Sequence, residues 1–348
     1  MNEEIDLDKI DDVLDEISEE QEEDGDVEDS KEEVDTGDLV GFRLNCGVLM
    51  NILKHLKSSG KTAAGDNVDY VEDCILRVEE NILWSICVDN NYGLFSYAKV
   101  KVDNDRDHNL DTYQTGEIPI NIDRLLQFLN RYSGSDILEY LYEGGVMVIR
   151  KTRPDLDNPI KVEAFVPSIR KDSVRNDMFY NVFGKYKQTK SERHRKMLSF
   201  VKKYKSPCVI KSNNTAVLYD GTILDNFVEV SCDQLKDVVR DGDLFDNRLY
   251  PFTVNNNVIN VTAKPLEKSD HSKFSRDLYV KQINLKGDFI TTYPSQFNAA
   301  VTSTRGHVML FFGNNKPLLL YKSSDKDYGI DMGYIVSNVK SKVKIKSK

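Results

Sequence analysis

The chain has 348 residues, of which 40% are apolar and 30% charged, and its formal net charge is −10. Its 17 tyrosines and 15 phenylalanines can close a core, so the composition excludes a wholly disordered chain. No long apolar run is present and the N-terminus is acidic, so we expect neither a membrane span nor a secretory signal. The 5 cysteines are far apart and form no CxxC pair, which argues against a disulfide framework or a zinc site and fits a reducing compartment.

Charge divides the chain into unlike parts. Residues 1–38 carry twenty acidic residues against two lysines, a net charge of −18, whereas the remaining 310 residues have a net charge of +8. Such an acidic segment buries too little apolar surface to repay the entropy of ordering it, so we expect a disordered tail. The alternatives are a helix that docks on a partner, or an acidic decoy that competes with DNA for basic surface. Residues 168–214 are expected to be a basic connector or insert between domains, and residues 340–348 a second basic tail.

Four segments begin with the alternation typical of a strand and then change to the apolar spacing of three and four typical of a helix. Between them the chain is almost wholly strand-like, with turn signals such as YEGG and FGNNKP. The pattern predicts an α+β fold of two similar β-rich domains, residues 39–167 and 215–339, each with two strand–helix–strands units. The four segments are 42–60, 118–134, 228–243 and 290–306.

The basic connector contains one further helical pattern. Residues 191–205 have the spacing of a short amphipathic helix with Met197, Leu198 and Val201 facing inward. Its charged face is either solvated or in contact with nucleic acid, and the sequence leaves both readings open.

Each of the four predicted helices has a basic or neutral face opposite its apolar face. A charged outer face is usually only solvated, and its ion pairs stabilise a helix by about a few tenths of a kcal/mol. Four such faces would form one basic lining only if all four helices faced a common space. Periodicity alone does not show that they do.

The chain resembles the DNA sliding clamps of the proliferating cell nuclear antigen type over roughly 39–167 and 215–339. The segments CDQLKDVVRDGDLF (232–245) and YPFTVNNNVINVTA are similar to a helix and the following strand pair of that family. The segment KPLLLYKSSDKDYGIDMGYIVSNV (316–339) resembles its C-terminal strands. In the first half, VDNNYGLFSYAKVKV (88–102) and NIDRLLQFLNRYSGSDILEYLYEGG (121–145) sit where the family has comparable segments.

The resemblance implies the DNA clamp fold, assembled as a ring that is most often a homotrimer. Helices of the ring would line a hole around double-stranded DNA and contact its phosphates without reading sequence. Such a ring is a processivity factor: it tethers DNA polymerase and other replication and repair proteins by raising their effective concentration at the DNA. A clamp loader is the further partner implied. No catalytic residue, cofactor or metal is expected, and the protein would act inside the cell, on DNA in the nucleus or cytoplasm.

By the same resemblance, two groups of residues are candidates for binding. The DNA-facing group is Lys54, Lys57, Lys61, Arg124, Arg131, Lys236, Arg240 and Arg305. The outer pocket that receives short hydrophobic peptides from partner proteins would be formed by Val88, Tyr92, Pro317 and Tyr334. Ordinary edge-strand and core packing is the competing explanation for Pro317 and Tyr334.

The chain departs from the family at several places. Ser337 stands where the family has proline, the C-terminus is rich in lysine where the family commonly ends acidic, and the connector is long and basic. The acidic N-terminal extension has no counterpart in the resemblance. These departures suggest a divergent clamp, of viral or phage origin, with altered partner specificity.

Three other functions compete with the homotrimeric ring. The chain could be a monomeric, non-ring viral processivity factor that binds DNA through a basic face, or one subunit of a hetero-oligomeric checkpoint-type clamp. A metal-dependent nuclease would need acidic clusters, and candidates occur at DNDRD (103–107), DGDLFD (241–246) and SSDKD (323–327). Each of these clusters lies in a predicted turn, where aspartate is common for backbone reasons.

Overall fold

The computed structural model describes residues 39–61, 67–101, 110–153, 160–179, 192–245, 248–267, 271–323 and 330–339. The two charged tails proposed from the sequence lie outside these residues. The helices are α1 (Cys46–Lys57), α2 (Ile122–Leu129), α3 (Glu192–Tyr204), α4 (Cys232–Gly242) and α5 (Gln296–Thr302).

Within these described ranges, twenty-three strands make up most of the rest. In the first half these are β1 (Val40–Asn45), β2 (Ser59–Lys61), β3 (Asn67–Asp69), β4 (Asp73–Glu79), β5 (Ile82–Val88), β6 (Leu94–Lys101), β7 (Asp111–Gln114), β8 (Gly116–Asn121), β9 (Ile137–Glu143), β10 (Val146–Arg153) and β11 (Ile160–Pro167). In the second half these are β12 (Cys208–Ile210), β13 (Ala216–Leu218), β14 (Ile223–Leu224), β15 (Asn226–Ser231), β16 (Arg248–Asn255), β17 (Val258–Pro265), β18 (Phe274–Asp277), β19 (Val280–Asn284), β20 (Phe289–Tyr293), β21 (His307–Phe312), β22 (Leu318–Ser323) and β23 (Ile330–Val336).

Three helices are capped at their N-terminus by a side chain that accepts a hydrogen bond from a backbone amide of the first turn. The Asn45 side chain accepts from the Val48 amide at 3.3 Å, and the Asn121 side chain accepts from the Arg124 amide at 2.9 Å. Ser231 does the same for α4, where its hydroxyl accepts from the Asp233 amide at 3.3 Å. Each bond satisfies a backbone donor that a helix start otherwise leaves open.

One nine-stranded antiparallel sheet joins the two halves of the chain, in the order β19-β15-β21-β22-β23-β6-β5-β4-β8. The junction is the pair β6–β23, in register from Ile330 opposite Val100 to Val336 opposite Leu94. A five-stranded sheet, β11-β10-β9-β1-β7, completes the first half, and a four-stranded sheet, β18-β17-β16-β20, completes the second.

Side chains alternate across the nine-stranded sheet and are buried on both faces. On one face, residues such as Met332 and Val336 belong to two cores that contain α1 with α2 and α4 with α5. On the other face Trp84, Tyr97 and Ile335 belong to a third core. The helices of all four repeated strand–helix–strands units therefore lie on one face of the sheet, which periodicity alone could not show.

The third core is closed by the segment that the sequence analysis treated as a connector. Helix α3 buries Phe200 and Val201 there, beside the small sheet β12-β13-β14. Met197 and Leu198 pack against the same core, so the inward face predicted for residues 191–205 is the one observed. Residues that looked like a linker thus form a third layer over the sheet.

No helix in the described ranges is both long and apolar enough to cross a membrane.

Candidate nucleic-acid interface

Helices α1, α2, α4 and α5 form a row on one face of the nine-stranded sheet. Helix α1 contacts α2, and α4 contacts α5. The two pairs meet where α5 contacts β2, the short strand that follows α1. All four helices with basic outer faces therefore lie on the same side of one sheet, as a shared basic lining would require. We call this side the helix row.

The first two helices carry three of the predicted DNA-facing residues. Lys54 and Arg124 are exposed on α1 and α2. The Lys57 ammonium lies 2.7 Å from a carboxylate oxygen of Asp123, so its charge is partly neutralised by the neighbouring helix. Lys54 and Arg124 are thus more available to an external phosphate than Lys57 is.

Two further candidates lie just beyond those helices. Arg131 follows α2, is exposed, and has its guanidinium carbon 5.9 Å from the centre of the Phe128 ring. That ring limits the directions in which the guanidinium can extend. Lys61 is the last residue of β2, the strand against α5.

The second half contributes the remaining three. Lys236 is half-buried on α4, while Arg240 is exposed and pairs with Asp237 one turn away at 3.1 Å. Arg305 is exposed just after α5. Because an exposed pair within one helix is worth little, Arg240 remains able to exchange its partner for a phosphate.

A cavity of about 490 Å³ brings candidates from both halves together. Lys54 of α1 and Arg305, just after α5, both line it, together with residues of β22 and β23. Lys322 on β22 also lines it. Among the described lining residues none is acidic, so the cavity is a concentrated positive site at the junction of the two halves.

Lys322 was missed by the sequence analysis. On β22 the inward side chains are Leu318 and Leu320, and strand alternation places residue 322 on the same face. A search for basic residues in strands that face the helices, rather than in helices alone, would have found it.

His55 forms part of the same cavity wall but adds no charge at neutral pH. Burial lowers the pKa of its imidazole from 6.5 to about 4, outweighing the hydrogen bond of its Nε2 with the Gly333 carbonyl at 3.2 Å. The ring lies against that of Tyr334, with centroids 4.1 Å apart. The Tyr334 hydroxyl donates to the His55 carbonyl at 2.7 Å, which fixes the end of α1 onto β23.

The four residues predicted to form a peptide pocket do not meet on one surface. Val88 is buried in the third core, under the α3 layer. Tyr334 is 1% exposed and faces the helix row, on the opposite side of the sheet. Tyr92 is 39% exposed, and its carbonyl accepts from the Ser337 hydroxyl at 3.1 Å. Pro317 is half-buried and directly precedes β22.

Ser337, the departure from the family's proline, has a structural role of its own. Its backbone amide donates to the Gly93 carbonyl at 2.9 Å, which a proline could not do. Together with the bond to Tyr92, this holds the turn before β6 against the end of the chain. Tyr92 is therefore the accessible member of the predicted pocket, and the pocket itself stays a prediction.

The acidic turn at 241–246 is largely occupied by internal ion pairs. Asp241 pairs with Arg276, and Asp243 pairs with the buried Arg248. The other two acidic clusters lie mostly outside the described residues. Within the described part of the chain no group of three His, Cys, Asp or Glu could hold a metal ion.

Known proteins resemble this chain in structure rather than in sequence. No family model and no curated protein matches the sequence. Among solved structures, the proliferating cellular nuclear antigen of Entamoeba histolytica has 10% identity and a TM-score of 0.56, covering 86% of this chain and 98% of its own.

Two further structures are similar. The clamp (PCNA) of A. fulgidus, solved with the C-terminal region of FEN-1, has 12% identity and a TM-score of 0.57, covering 87% of this chain and 100% of its own. The PCNA2–PCNA3 complex of Sulfolobus tokodaii has 10% identity and a TM-score of 0.52, covering 86% of this chain and 98% of the matched one. These comparisons give no support to a viral or phage origin. The architecture and these structural similarities together establish the fold: the chain has the DNA clamp fold.

Proposed function

We propose that this chain is a sliding clamp: a ring of identical subunits that encloses duplex DNA and tethers a DNA polymerase and other replication and repair proteins to it. The observation that carries the proposal is the cavity at the junction of the two halves. There Lys54 and Arg305, from different halves, face the same space together with Lys322 and without a described acidic neighbour. A row of helices with exposed cations suits loose contact with phosphates, which permits sliding.

Two sheet edges support assembly into a ring. Strand β11 ends the five-stranded sheet and β18 ends the four-stranded sheet. Both edges expose apolar side chains: Val162 is 43% exposed and Phe165 61% on β11, and Phe274 is 43% exposed on β18. An open edge with exposed apolar residues favours pairing with another chain. Head-to-tail pairing of β11 with β18 of the next subunit would close a ring.

The proposed partners rest on similarity. The A. fulgidus clamp is a structure with a bound segment of FEN-1, and the Sulfolobus tokodaii structure is a complex of two clamp subunits. We propose by analogy that this chain also assembles with clamp subunits, identical or different, and binds replication proteins. A clamp loader and DNA polymerase belong to the same proposal, as does action on DNA inside the cell.

Topological enclosure of DNA can be tested without knowing the loader. Full-length protein is threaded at low salt onto linear duplex DNA that is attached to a bead at one end, and the free end is then blocked with a bulky protein. A ring stays on the blocked DNA through a high-salt wash and leaves when a restriction enzyme cuts the DNA. Release by salt from blocked and open DNA alike would contradict the ring and favour the non-ring factor that binds through a basic face.

A further inference from the structure

Helix α3 presents a second basic surface, on the side of the nine-stranded sheet opposite the helix row. Phe200 and Val201 anchor α3 in the third core. Five of its thirteen residues are basic and one is acidic. We call its solvent-facing cations the α3 face, which consists of the exposed residues Arg193, Arg195, Lys202 and Lys203.

The cations of the α3 face have no carboxylate partner among the residues that the structure describes. The nearby ion pairs use other lysines: Lys196 pairs with Glu192 at 3.6 Å, and Lys205 pairs with Glu79 at 2.8 Å. By contrast, Arg240 and Lys57 in the helix row are each paired with an aspartate. The α3 face is thus a cluster of like charges that an external or distant acidic group would stabilise.

The acidic segment 1–38 joins the described fold near the β8 edge of the nine-stranded sheet, the edge at which the end of α3 is held. The Val40 side chain packs directly against Gly116, which lies opposite Val78 in the β4–β8 pair. The next residue of β4, Glu79, holds Lys205 at the end of α3. The last ten residues of the acidic segment can span at most ~35 Å, whereas α3 is ~20 Å long. The acidic residues nearest to the fold therefore have the reach to meet the last turn of α3, where Lys202 and Lys203 lie, and those farther along the segment can extend over the rest of the helix.

We propose that residues 1–38 dock in cis on the α3 face and neutralise it. The charges are complementary, since the segment has a net charge of −18. Docking would leave the helix row as the uncovered basic surface of the protein, so that DNA binds there rather than on α3. The contact is electrostatic, and it weakens as salt shortens the range of charge interactions.

Zero-length carbodiimide coupling of the full-length protein tests this contact, because it joins carboxylates only to lysines in direct contact with them. Mass spectrometry of the peptides should find residues 1–38 joined to Lys202 and Lys203. In a mixture of isotope-labelled and unlabelled chains, the products should join peptides of the same chain, and their yield should fall several-fold at high salt. Coupling of the segment mainly to Lys54 or Lys236 of the helix row would overturn the proposal, as would products that join different chains.

A pair of variants separates docking from chance proximity. R195E with K202E should reduce coupling at Lys203 several-fold, whereas the control K236E with R240E on α4 should leave it unchanged. Circular dichroism checks that both variants are folded. If coupling at Lys203 is unaffected by the α3 substitutions, the proposal fails. It also fails if duplex DNA cross-links to α3 of the wild-type chain at physiological salt, because the α3 face would then be a nucleic-acid site.

Discussion

Arg77 of β4 donates two hydrogen bonds, at 2.7 and 2.9 Å, to the carboxylate of Asp177, which is fully buried. The guanidinium also lies over the rings of Phe179 and Trp84, at 4.3 and 5.0 Å. This pair fastens the chain that leaves the first half onto the sheet, and so positions the third layer.

Replacing Asp177 with asparagine should therefore be strongly destabilising, because the buried charge of Arg77 would lose its bidentate partner and keep only Glu117, 3.0 Å away, as an acidic neighbour. We expect the free energy of unfolding to fall by about 3–5 kcal/mol. Chemical denaturation followed by circular dichroism measures it. The matched control is Asp172→Asn, which breaks the exposed pair with Arg170 and should cost less than about 1 kcal/mol. Equal effects of the two substitutions would show that the buried pair has no special role.

Charge at the open sheet edges should disrupt the oligomer. Phe165→Asp on β11 and Phe274→Asp on β18 each place a carboxylate in the surface proposed to join subunits, where it would have to be desolvated. Light scattering over a concentration series should show about three times the monomer mass for wild type and the monomer mass for either variant. Tyr113→Asp, on the opposite edge of the five-stranded sheet, is the control and should leave the mass unchanged. A wild-type monomer at all concentrations would count against self-assembly.

Charge reversal at the cavity should weaken DNA binding without changing the fold. In Lys54→Glu with Arg305→Glu, two cations that face one space become anions, so binding to duplex DNA should become weaker and less dependent on salt. The slope of log K against log salt should fall by about 1 for each lost phosphate contact. Arg170→Glu, at an exposed residue that does not line the cavity, is the control. An unchanged slope in the double variant would exclude the cavity from the DNA contact.

Stability should depend on pH through His55. Its pKa is about 4 in the folded protein and about 6.5 when unfolded, so the unfolded chain takes up the proton first as the pH falls. Stability from this residue is therefore fully present above pH ~6.5 and is lost as the pH falls toward 4, by about 3 kcal/mol in all. Denaturation at several pH values should show a smaller loss for His55→Asn than for wild type. His307→Asn, exposed on β21, should behave like wild type, and parallel curves for all three proteins would contradict the assignment.

The repeated units could be predicted because their apolar spacing is local. Leu49, Ile52 and Leu56 repeat at helical intervals, and all three are buried on α1 as that spacing requires. Val201 was likewise predicted to face inward. Local spacing cannot show which residue of a distant segment a side chain contacts. The ion pair of Lys57 with Asp123 is an example, because the two residues lie 66 positions apart in the chain and on different helices.

The faces of strands were harder to predict than the strands themselves. Alternation places Tyr334 with Met332 and Val336, but it does not tell which face of the sheet carries the helices. The third layer made the faces harder still to tell apart. It covers the face of the sheet that the helices leave open, so neither face has the polar side chains that would mark it as the outer surface. Val88 and Tyr334 were therefore assigned to one pocket, although the structure places their side chains on opposite faces.

The pairing of β6 with β23 has a consequence for synthesis of the chain. Strand β6 leaves the ribosome about 230 residues before its partner, which corresponds to roughly 10–50 s at ordinary rates of translation. Throughout that interval one edge of β6 has no strand to pair with, although it already pairs with β5 on the other side. A newly made first half is thus a folding intermediate with an unfinished sheet, and it is in this interval that we expect the nascent chain to be most prone to aggregate or to need a chaperone.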